Sequence, residues 1–160
     1  TVESFNLLEI MLVGRAVSAV VHELYPAGVP PENSRGTLIV ATLEGDVHDL
    51  GKNIVKMVLI GKGYRVVDLG RDCPVATLVA ATAREAASGV LISGLISSIV
   101  PQVRRVRPAL RTHGLGSVWV VAGGAALKQC AAADLDVDYV AENAFDGARY
   151  IEARFTGTTP

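Results

Sequence analysis

The sequence predicts an α/β fold in which a doubly wound, five-stranded parallel sheet is covered by helices on both faces. From residue 37 onward, short apolar runs alternate with longer segments whose apolar residues recur at helical spacing. Half of the 160 residues are hydrophobic but only 5% are aromatic, so Val, Ala, Leu and Ile must fill the core. These residues are typical of parallel strands that are buried on both faces. The length suits one main domain with its own core.

The alternating pattern contains five strands and five helices. Strands are predicted at residues 37–42, 65–69, 89–93, 118–122 and 139–140, and helices at residues 49–61, 75–88, 100–113, 127–133 and 144–155. Successive strands are far enough apart in the chain for a helical crossover, which makes neighbouring strands parallel. We therefore predict the flavodoxin-like strand order 2-1-3-4-5.

A further amphipathic helix is predicted ahead of the sheet, at residues 5–25. Its apolar residues recur every three or four positions, at Leu7, Leu8, Met11, Leu12, Val17, Val20, Val21 and Leu24. Pro26 and Gly28 end it. Because one helix cannot bury its apolar face alone, it either packs on the α/β unit or is the last piece of a helical subdomain. We expect two parts: residues 1–35, with this helix and a linker, and residues 36–157, with the sheet.

Charge and composition argue against several classes of protein. The formal net charge is −1 and no basic run is present, which argues against nucleic acid as a direct partner. Apolar runs are interrupted well before the length of a membrane span, and no signal peptide is visible. The two cysteines, Cys73 and Cys130, give no disulfide framework. A reduced, cytoplasmic location is therefore expected.

The loop after the first strand carries the strongest chemical signal. Asp46, His48 and Gly51 lie between a predicted strand and a predicted helix, at the carboxyl edge where open α/β sheets bind ligands. An imidazole that binds a metal usually donates its second N–H to a carboxylate, and Asp46 is a plausible acceptor. Gly51 allows a large group to approach the backbone. The alternative is a polar loop whose side chains only cap the next helix.

Three later strand ends belong to the same edge. The third, fourth and fifth strands end in Ser93-Gly94-Leu95, Gly123-Gly124 and Ala141-Glu142-Asn143. A Ser hydroxyl can both donate and accept hydrogen bonds, and paired glycines leave a trough without Cβ atoms that suits a bulky group. Taken alone, each motif also fits an ordinary turn at the end of a strand.

Together, these motifs resemble a known family. Residues 45–55, Gly-Asp-Val-His-Asp-Leu-Gly-Lys-Asn-Ile-Val, resemble the cobalamin-binding module of methionine synthase and of the corrinoid methyl-carrier proteins. The Ser93-Gly94-Leu95 and Gly123-Gly124 motifs are similar to that family's Ser-x-Leu and Gly-Gly elements and occur in the same order. The resemblance extends over about residues 7–155. It implies a flavodoxin-like, Rossmann-like module behind a shortened helical cap.

The resemblance implies a base-off, His-on cobalamin site. His48 Nε2 would take the lower axial position on cobalt and Asp46 would accept from Nδ1–H, which makes these two residues the implied catalytic pair. The nucleotide tail of the cofactor would thread between strands one, three and four. The other implied cofactor-binding residues are Val47, Asp49, Leu50, Gly51, Ile54, Ser93, Gly94, Leu95, Ser97, Gly123, Gly124, Ala141 and Glu142, with Leu7 near the upper face.

One position departs from the family pattern. Methionine synthase extends the His–Asp pair with a hydroxyl-bearing residue shortly after its Ser-x-Leu motif, but Ile99 stands at that place here. Either Ser98 substitutes or the relay stops at Asp46. The departure puts in question the proton uptake that accompanies loss of the His–cobalt bond.

The resemblance implies a carrier of a methyl group and not a complete methyltransferase, because no pocket for a methyl donor or acceptor is apparent in 160 residues. Methylcobalamin is the implied cofactor form, with adenosylcobalamin as the alternative. Methyltransferase subunits or domains are the implied partners, and a homodimer through the first helix is expected. Two other functions stay open: a cobalamin-dependent sensor, which would need a DNA-binding element or partner, and the small subunit of an adenosylcobalamin mutase. The continuation Gly51-Lys52-Asn53 is more similar to the methyl-transfer branch.

Overall fold

The computed structural model describes residues 34–157 together with Leu12, Ala16, Ala19, Val20 and Glu23. Its centre is a sheet of five strands in the order β2-β1-β3-β4-β5, and each neighbouring pair is parallel. The strands are β1 (Thr37–Thr42), β2 (Arg65–Asp68), β3 (Gly89–Ser93), β4 (Trp119–Gly123) and β5 (Tyr139–Ala141). The predicted fold class and strand order are confirmed.

Helices cover both faces of this sheet. They are α1 (Leu50–Gly61), α2 (Val75–Arg84), α3 (Val100–Thr112), α4 (Ala132–Leu135) and α5 (Ala144–Thr156), with 3-10 turns at Ser97–Ile99 and Leu127–Gln129. The buried side chains of α1 and α5 form one core cluster with one face of the sheet. Those of α2, α3 and α4 form a second cluster with the other face.

The central strand β1 shows why the sequence folds into layers. Leu38 and Val40 belong to the cluster under α1 and α5, whereas Ile39 and Ala41 belong to the opposite cluster. All four side chains are fully buried. A continuous apolar run is what a strand needs when both of its faces are covered.

Two predicted helices end differently in the structure. Helix α2 ends at Arg84 and not at residue 88, because Ala86 has a φ of 47° that turns the chain toward β3. The predicted helix at 127–133 is wrong: the 3-10 turn at Leu127–Gln129 and helix α4 are separate, with extended backbone at Cys130 and Ala131. This break allows Leu127 and Leu135 to enter the core from separate segments, and both are fully buried.

The described residues ahead of residue 34 have helical backbone and are exposed to solvent. Leu12 is 55% exposed and Val20 is 58% exposed. The remainder of the predicted first helix, including Leu7 and Met11, lies outside the described residues. Among the residues that the structure describes, no helix has the length and apolar character needed to cross a membrane.

The register of the sheet brings the sequence motifs side by side. Ser93 at the end of β3 pairs with Thr42 at the end of β1 and with Gly123 at the end of β4. Gly123 in turn pairs with Ala141 at the end of β5. Four strands therefore end level with one another, and the loops that follow them share the carboxyl edge.

Candidate functional site

The centre of this edge is the predicted pair of Asp46 and His48. The His48 Nδ1 atom lies 2.7 Å from Asp46 Oδ1, and the His48 backbone N–H donates to the same oxygen at 2.9 Å. Asp46 is fully buried, whereas the His48 side chain is 49% exposed. An ionised carboxylate can only accept, so Nδ1 carries the proton in this contact, and in a neutral imidazole Nε2 then keeps its lone pair.

The loop is more than a helix cap. Asp49 is the N-cap residue of α1 but makes no hydrogen bond there through its side chain. Asp46 and His48 bond to each other instead. The buried Thr42 hydroxyl donates to the His48 carbonyl oxygen at 3.3 Å, which further fixes the loop.

Asp46 also joins this loop to the loop after β3. Its second oxygen, Oδ2, accepts from the backbone N–H of Leu95 at 2.7 Å and of Ile96 at 3.4 Å. Burial alone would raise the pKa of the Asp46 carboxyl, but the hydrogen bonds from His48, Leu95 and Ile96 outweigh it and hold the pKa below its usual value. Asp46 is thus a fixed carboxylate that positions both His48 and residues 95–96.

The same contacts bear on the question raised by Ile99. Asp46 bonds to His48 and to two backbone amides, so within the described residues the Asp46 carboxylate contacts no hydroxyl. Ile99 is fully buried beneath Gly94, and Ser98 is exposed. These contacts fit the alternative in which the relay stops at Asp46.

Exposed apolar side chains occur on the two loops that Asp46 joins. Those on the segments after β1 and β3 are Val47, Leu50, Leu95 and Ile96, which we call the apolar rim. Val47 lies between Asp46 and His48 in the chain, and Leu95 and Ile96 donate backbone hydrogen bonds to Asp46. Exposed apolar residues that cluster around a polar group are typical of a binding surface.

A cavity of about 230 Å³ opens between α1 and α5, over the ends of β3, β4 and β5. Its lining includes seven of the predicted site residues: Gly51, Ile54, Ser93, Gly123, Gly124, Ala141 and Glu142. No residue of β1 is among the lining. The cavity therefore runs across strands three, four and five, which differs from the predicted path between strands one, three and four.

The glycines of the site have different structural roles. A Cβ atom at Gly51 would lie 3.2 Å from Ser93 Oγ, and one at Gly123 would have ordinary clearance, 3.6 Å from the Ala141 carbonyl oxygen. Gly124 has a φ of 101°, and its Cβ would lie 2.4 Å from the Gly94 carbonyl oxygen. Gly94 itself is packed against Ile99 and Leu127. The predicted trough therefore belongs to Gly123, whereas Gly94 and Gly124 are needed for close packing.

Apart from the Asp46–His48 pair, three described site residues lie outside both the cavity and the rim. Gly94 is buried in packing contacts, Ser97 is exposed in a 3-10 turn, and Asp49 is the N-cap residue of α1. Leu7 lies outside the described residues. The site residues that the structure brings together are thus the Asp46–His48 pair, the apolar rim and the cavity lining.

Comparison with known proteins identifies the family. The model of the B12 binding domain matches residues 36–149, which is most of the chain. The chain belongs to the B12-binding domain family. Its cofactor is therefore cobalamin, as the sequence motifs imply.

Individual relatives carry corrinoid names. Dimethylamine corrinoid protein 3 of Methanosarcina mazei is 34% identical over 142 residues, which cover 86% of this chain and 84% of that protein. The methanol–corrinoid protein of Methanosarcina barkeri is 33% identical over 133 residues, and the match covers 83% of this chain. The chain spans about half of that relative, 51% of its length.

A solved structure of a related protein has the same fold. A chain of the methanol:cobalamin methyltransferase complex from Methanosarcina barkeri superposes with a TM-score of 0.77 at 30% identity. The match covers 97% of this chain and 60% of that chain.

The residues present at the carboxyl edge fit cobalamin. His48 offers an exposed imidazole with Nε2 outside its contact with Asp46, and an imidazole nitrogen is a suitable ligand for cobalt. The apolar rim suits the edge of a large macrocycle. The cavity beside it is bounded by Gly123, where no side chain fills the space, and by the Ser93 hydroxyl.

Asn143, the last residue of the motif that ends the fifth strand, also lines the cavity, and it caps α5 by accepting from Phe145 and Asp146 N–H, each at 3.0 Å. Sequence reasoning missed several other residues of the cavity: Lys52, Val55, Lys128, Ala144 and Gly147. Gly147 had a usable signal, because a glycine inside a helix often marks a close approach; a Cβ atom there would lie 3.3 Å from the Ala141 Cβ. Lys52 and Lys128 had none, because their contribution depends on tertiary packing.

Proposed function

We propose that His48 Nε2 is the lower axial ligand of cobalt in a base-off, His-on cobalamin complex. The observation that carries this proposal is the His48 imidazole, which Asp46 holds through Nδ1 at 2.7 Å while the ring reaches the surface. Because the Asp46 carboxylate is itself held by backbone N–H groups, the ring orientation is set before the cofactor arrives. A carboxylate on Nδ1–H also raises the basicity of the ligating nitrogen.

The remaining cofactor contacts follow from the two surfaces beside His48. The apolar rim residues Val47, Leu50, Leu95 and Ile96 would contact the corrin. The cavity between α1 and α5 would receive the nucleotide tail, with Ser93 Oγ as a polar partner and Gly123 leaving space for the base. Ile54, Ala141 and Glu142 line the same cavity.

Reconstitution tests cobalamin binding directly. The purified protein, mixed with cobalamin in the dark and desalted, should keep one equivalent of the coloured cofactor. A colourless protein whose circular dichroism shows an intact fold would contradict the proposal.

We infer that the chain works as a corrinoid methyl-group carrier for a partner methyltransferase. Bound cobalamin supplies a cobalt centre that accepts a methyl group from one substrate and releases it to another. Relatives that are named corrinoid proteins, and a similar chain from a methanol:cobalamin methyltransferase complex, support this role. In this view the chain binds and orients the cofactor, and the partner supplies the substrate site.

The upper ligand separates the carrier from its two alternatives. Protein isolated in the dark from cells grown with cobalamin should contain cofactor that carries methyl or no alkyl group, as identified by mass spectrometry after extraction. An adenosyl group would favour the sensor or the mutase subunit instead.

We also propose that residues 1–35 form a short cap-like segment whose exposed stripe contacts a second copy of the chain. Leu12, Ala16 and Val20 follow one another at four-residue spacing and all three are exposed. Such spacing places them on one face of a helix. Sedimentation velocity at micromolar concentration should show a dimer that Leu12→Glu converts to a monomer; a wild-type monomer, with or without cobalamin, would contradict this.

A further inference from the structure

The loop after β2 is joined to the loop that carries His48. Residues Leu43 and Cys73 form a parallel bridge beyond the ends of β1 and β2. Cys73 N–H donates to the Thr42 carbonyl oxygen, and Glu44 N–H donates to the Cys73 carbonyl oxygen, both at 3.0 Å. The path of the His48 loop therefore depends on a neighbouring segment that contributes no residue to the cavity or to the apolar rim.

In the loop after β2, Asp72 makes the contacts closest to the Asp46–His48 pair. Its Oδ1 atom accepts from the Gly45 backbone N–H at 2.8 Å, and its own backbone N–H donates to the Asp46 carbonyl oxygen at 3.1 Å. These two bonds hold the two-residue segment Gly45–Asp46 at both ends. Asp46 then holds His48 through Nδ1 and the backbone N–H.

The backbone of Asp72 is unusual for a residue with a side chain. Its φ is 54°, in the left-handed region that favours glycine. A strained conformation persists where the surroundings determine it, and it is often found at functional sites. At Asp72 the strained backbone directs the N–H toward Asp46 while the carboxylate reaches Gly45.

From these contacts we infer that Asp72 is a positioning residue for the His48 ligand. It acts through Gly45 and Asp46 and touches neither the proposed cobalt site nor the cavity. This inference rests on the proposed function, because it concerns how the loop presents His48 Nε2 to the metal. Asp72 would favour the one loop conformation in which Asp46 can hold the imidazole.

Two substitutions separate the side-chain bond from the backbone conformation. Asp72→Gly keeps a left-handed backbone without strain but removes the acceptor for Gly45 N–H. Asp72→Asn keeps an acceptor oxygen, and Asn tolerates the left-handed region. Asp136→Gly is the matched control, because Asp136 is also an aspartate with a φ of 52° but lies beyond α4, ahead of β5, where it faces Arg111.

The first measurement uses the cobalamin-free protein. In Asp72→Gly, amide hydrogen exchange at Gly45 should become about tenfold faster, as expected for the loss of one hydrogen bond. Exchange should stay near the wild-type rate in Asp72→Asn and Asp136→Gly. If Asp72→Gly does not fold, wild-type exchange at Gly45 decides: a rate equal to that of an unfolded chain would overturn the inference.

The second measurement uses cobalamin-loaded protein. In Asp72→Gly the visible spectrum should show a smaller His-bound fraction, and cobalamin affinity should fall by about three- to tenfold. Asp72→Asn should restore both. An unchanged His-bound fraction in Asp72→Gly, as expected for the control Asp136→Gly, would show that Asp72 serves only the turn, whatever its effect on thermal stability. Failure of the wild type to bind cobalamin would instead contradict the proposed function, and the exchange measurement would still stand.

Discussion

At the scale of single residues, Asp46 joins His48 to the rest of the carboxyl edge. Its Oδ1 lies 2.7 Å from His48 Nδ1, a contact between near neighbours in the chain. The bonds from Asp46 to Leu95 and Ile96 join residues about fifty positions apart, so no local pattern indicates them. No local pattern indicates the role of Gly124 either. A side chain there would collide with the backbone of Gly94, which follows a different strand.

Replacing the proposed ligand should separate cobalt ligation from tail binding. His48→Ala removes the axial nitrogen but leaves the cavity intact, so cobalamin should bind about tenfold more weakly, equivalent to about 1.4 kcal/mol, with a base-off absorbance spectrum. His113→Ala is the control, since His113 is exposed at the end of α3. A His-on spectrum in His48→Ala would reject His48 as the ligand.

Substitutions at the two adjacent glycines should have different effects, one on cobalamin affinity and the other on stability. Gly123→Val adds a branched side chain that has room beside Ala141 but occupies the cavity, so folding should survive while cobalamin affinity drops at least about tenfold. Gly124→Val forces a left-handed valine against the Gly94 backbone, which should lower the free energy of unfolding by about 1–3 kcal/mol or more. Chemical denaturation and cobalamin titration of both variants test this. Full affinity in Gly123→Val would mean that the cavity is not the tail site.

At the scale of secondary-structure elements, a buried ion pair ties α1 to β2. Lys52 is only 2% exposed, and its Nζ lies 2.6 Å from Asp68 Oδ1 and 3.0 Å from Asn53 Oδ1. Lys56 reaches the other Asp68 oxygen at 3.0 Å. The sequence predicts α1 well, but a lysine on a helix is normally assigned to solvent, and its partner lies sixteen positions away. This pair fixes the first turn of α1, which begins beside His48.

Replacing Asp68 and replacing Lys52 should lower the free energy of unfolding by different amounts. Asp68→Asn leaves the Lys52 ammonium buried without a counter-charge, and we expect a loss of about 3 kcal/mol in the free energy of unfolding. Lys52→Met replaces the cation with an apolar side chain while Asp68 keeps Lys56 and the Gly70 N–H, so the loss should be about 1 kcal/mol. Urea denaturation at neutral pH compares them. Equal losses would indicate that burial of the charge is unimportant.

The Lys52–Asp68 pair should make the stability of the protein fall at low pH. Burial would raise the pKa of Asp68, but bonds from Lys52, the Gly70 N–H and Lys56 hold the pKa below its usual value. Its contribution to stability is therefore present above the ordinary carboxyl pKa, about 3.9, and is lost as the pH falls through the lower folded-state value. The stability difference between wild type and Asp68→Asn should shrink below about pH 4. A difference that stays constant down to pH 2 would contradict this assignment.

At the scale of the whole molecule, the alternation of apolar runs and helical segments was sufficient to predict the parallel sheet and its order. Strand ends were predicted to within one residue, and three of the strands, β3, β4 and β5, are followed directly by Gly94, Gly124 and Glu142. The predicted helix at 127–133 was wrong because local propensity contains no sign of the extended backbone at Cys130. The cavity could not be placed from sequence either, since it exists only where α1 and α5 stand apart over β3 to β5.

The central claim is that a protein histidine, His48, and not the cofactor's own base, binds the cobalt. Electron paramagnetic resonance of the cobalt(II) state tests it, with unlabelled cobalamin bound to protein grown on ¹⁵N. Coupling to an axial nitrogen splits each cobalt line into a doublet for ¹⁵N and a triplet for ¹⁴N. We predict doublets in the wild type and in His113→Ala, and their loss in His48→Ala. Triplets in the labelled wild-type protein would show that the cofactor's own base remains bound and would contradict the account.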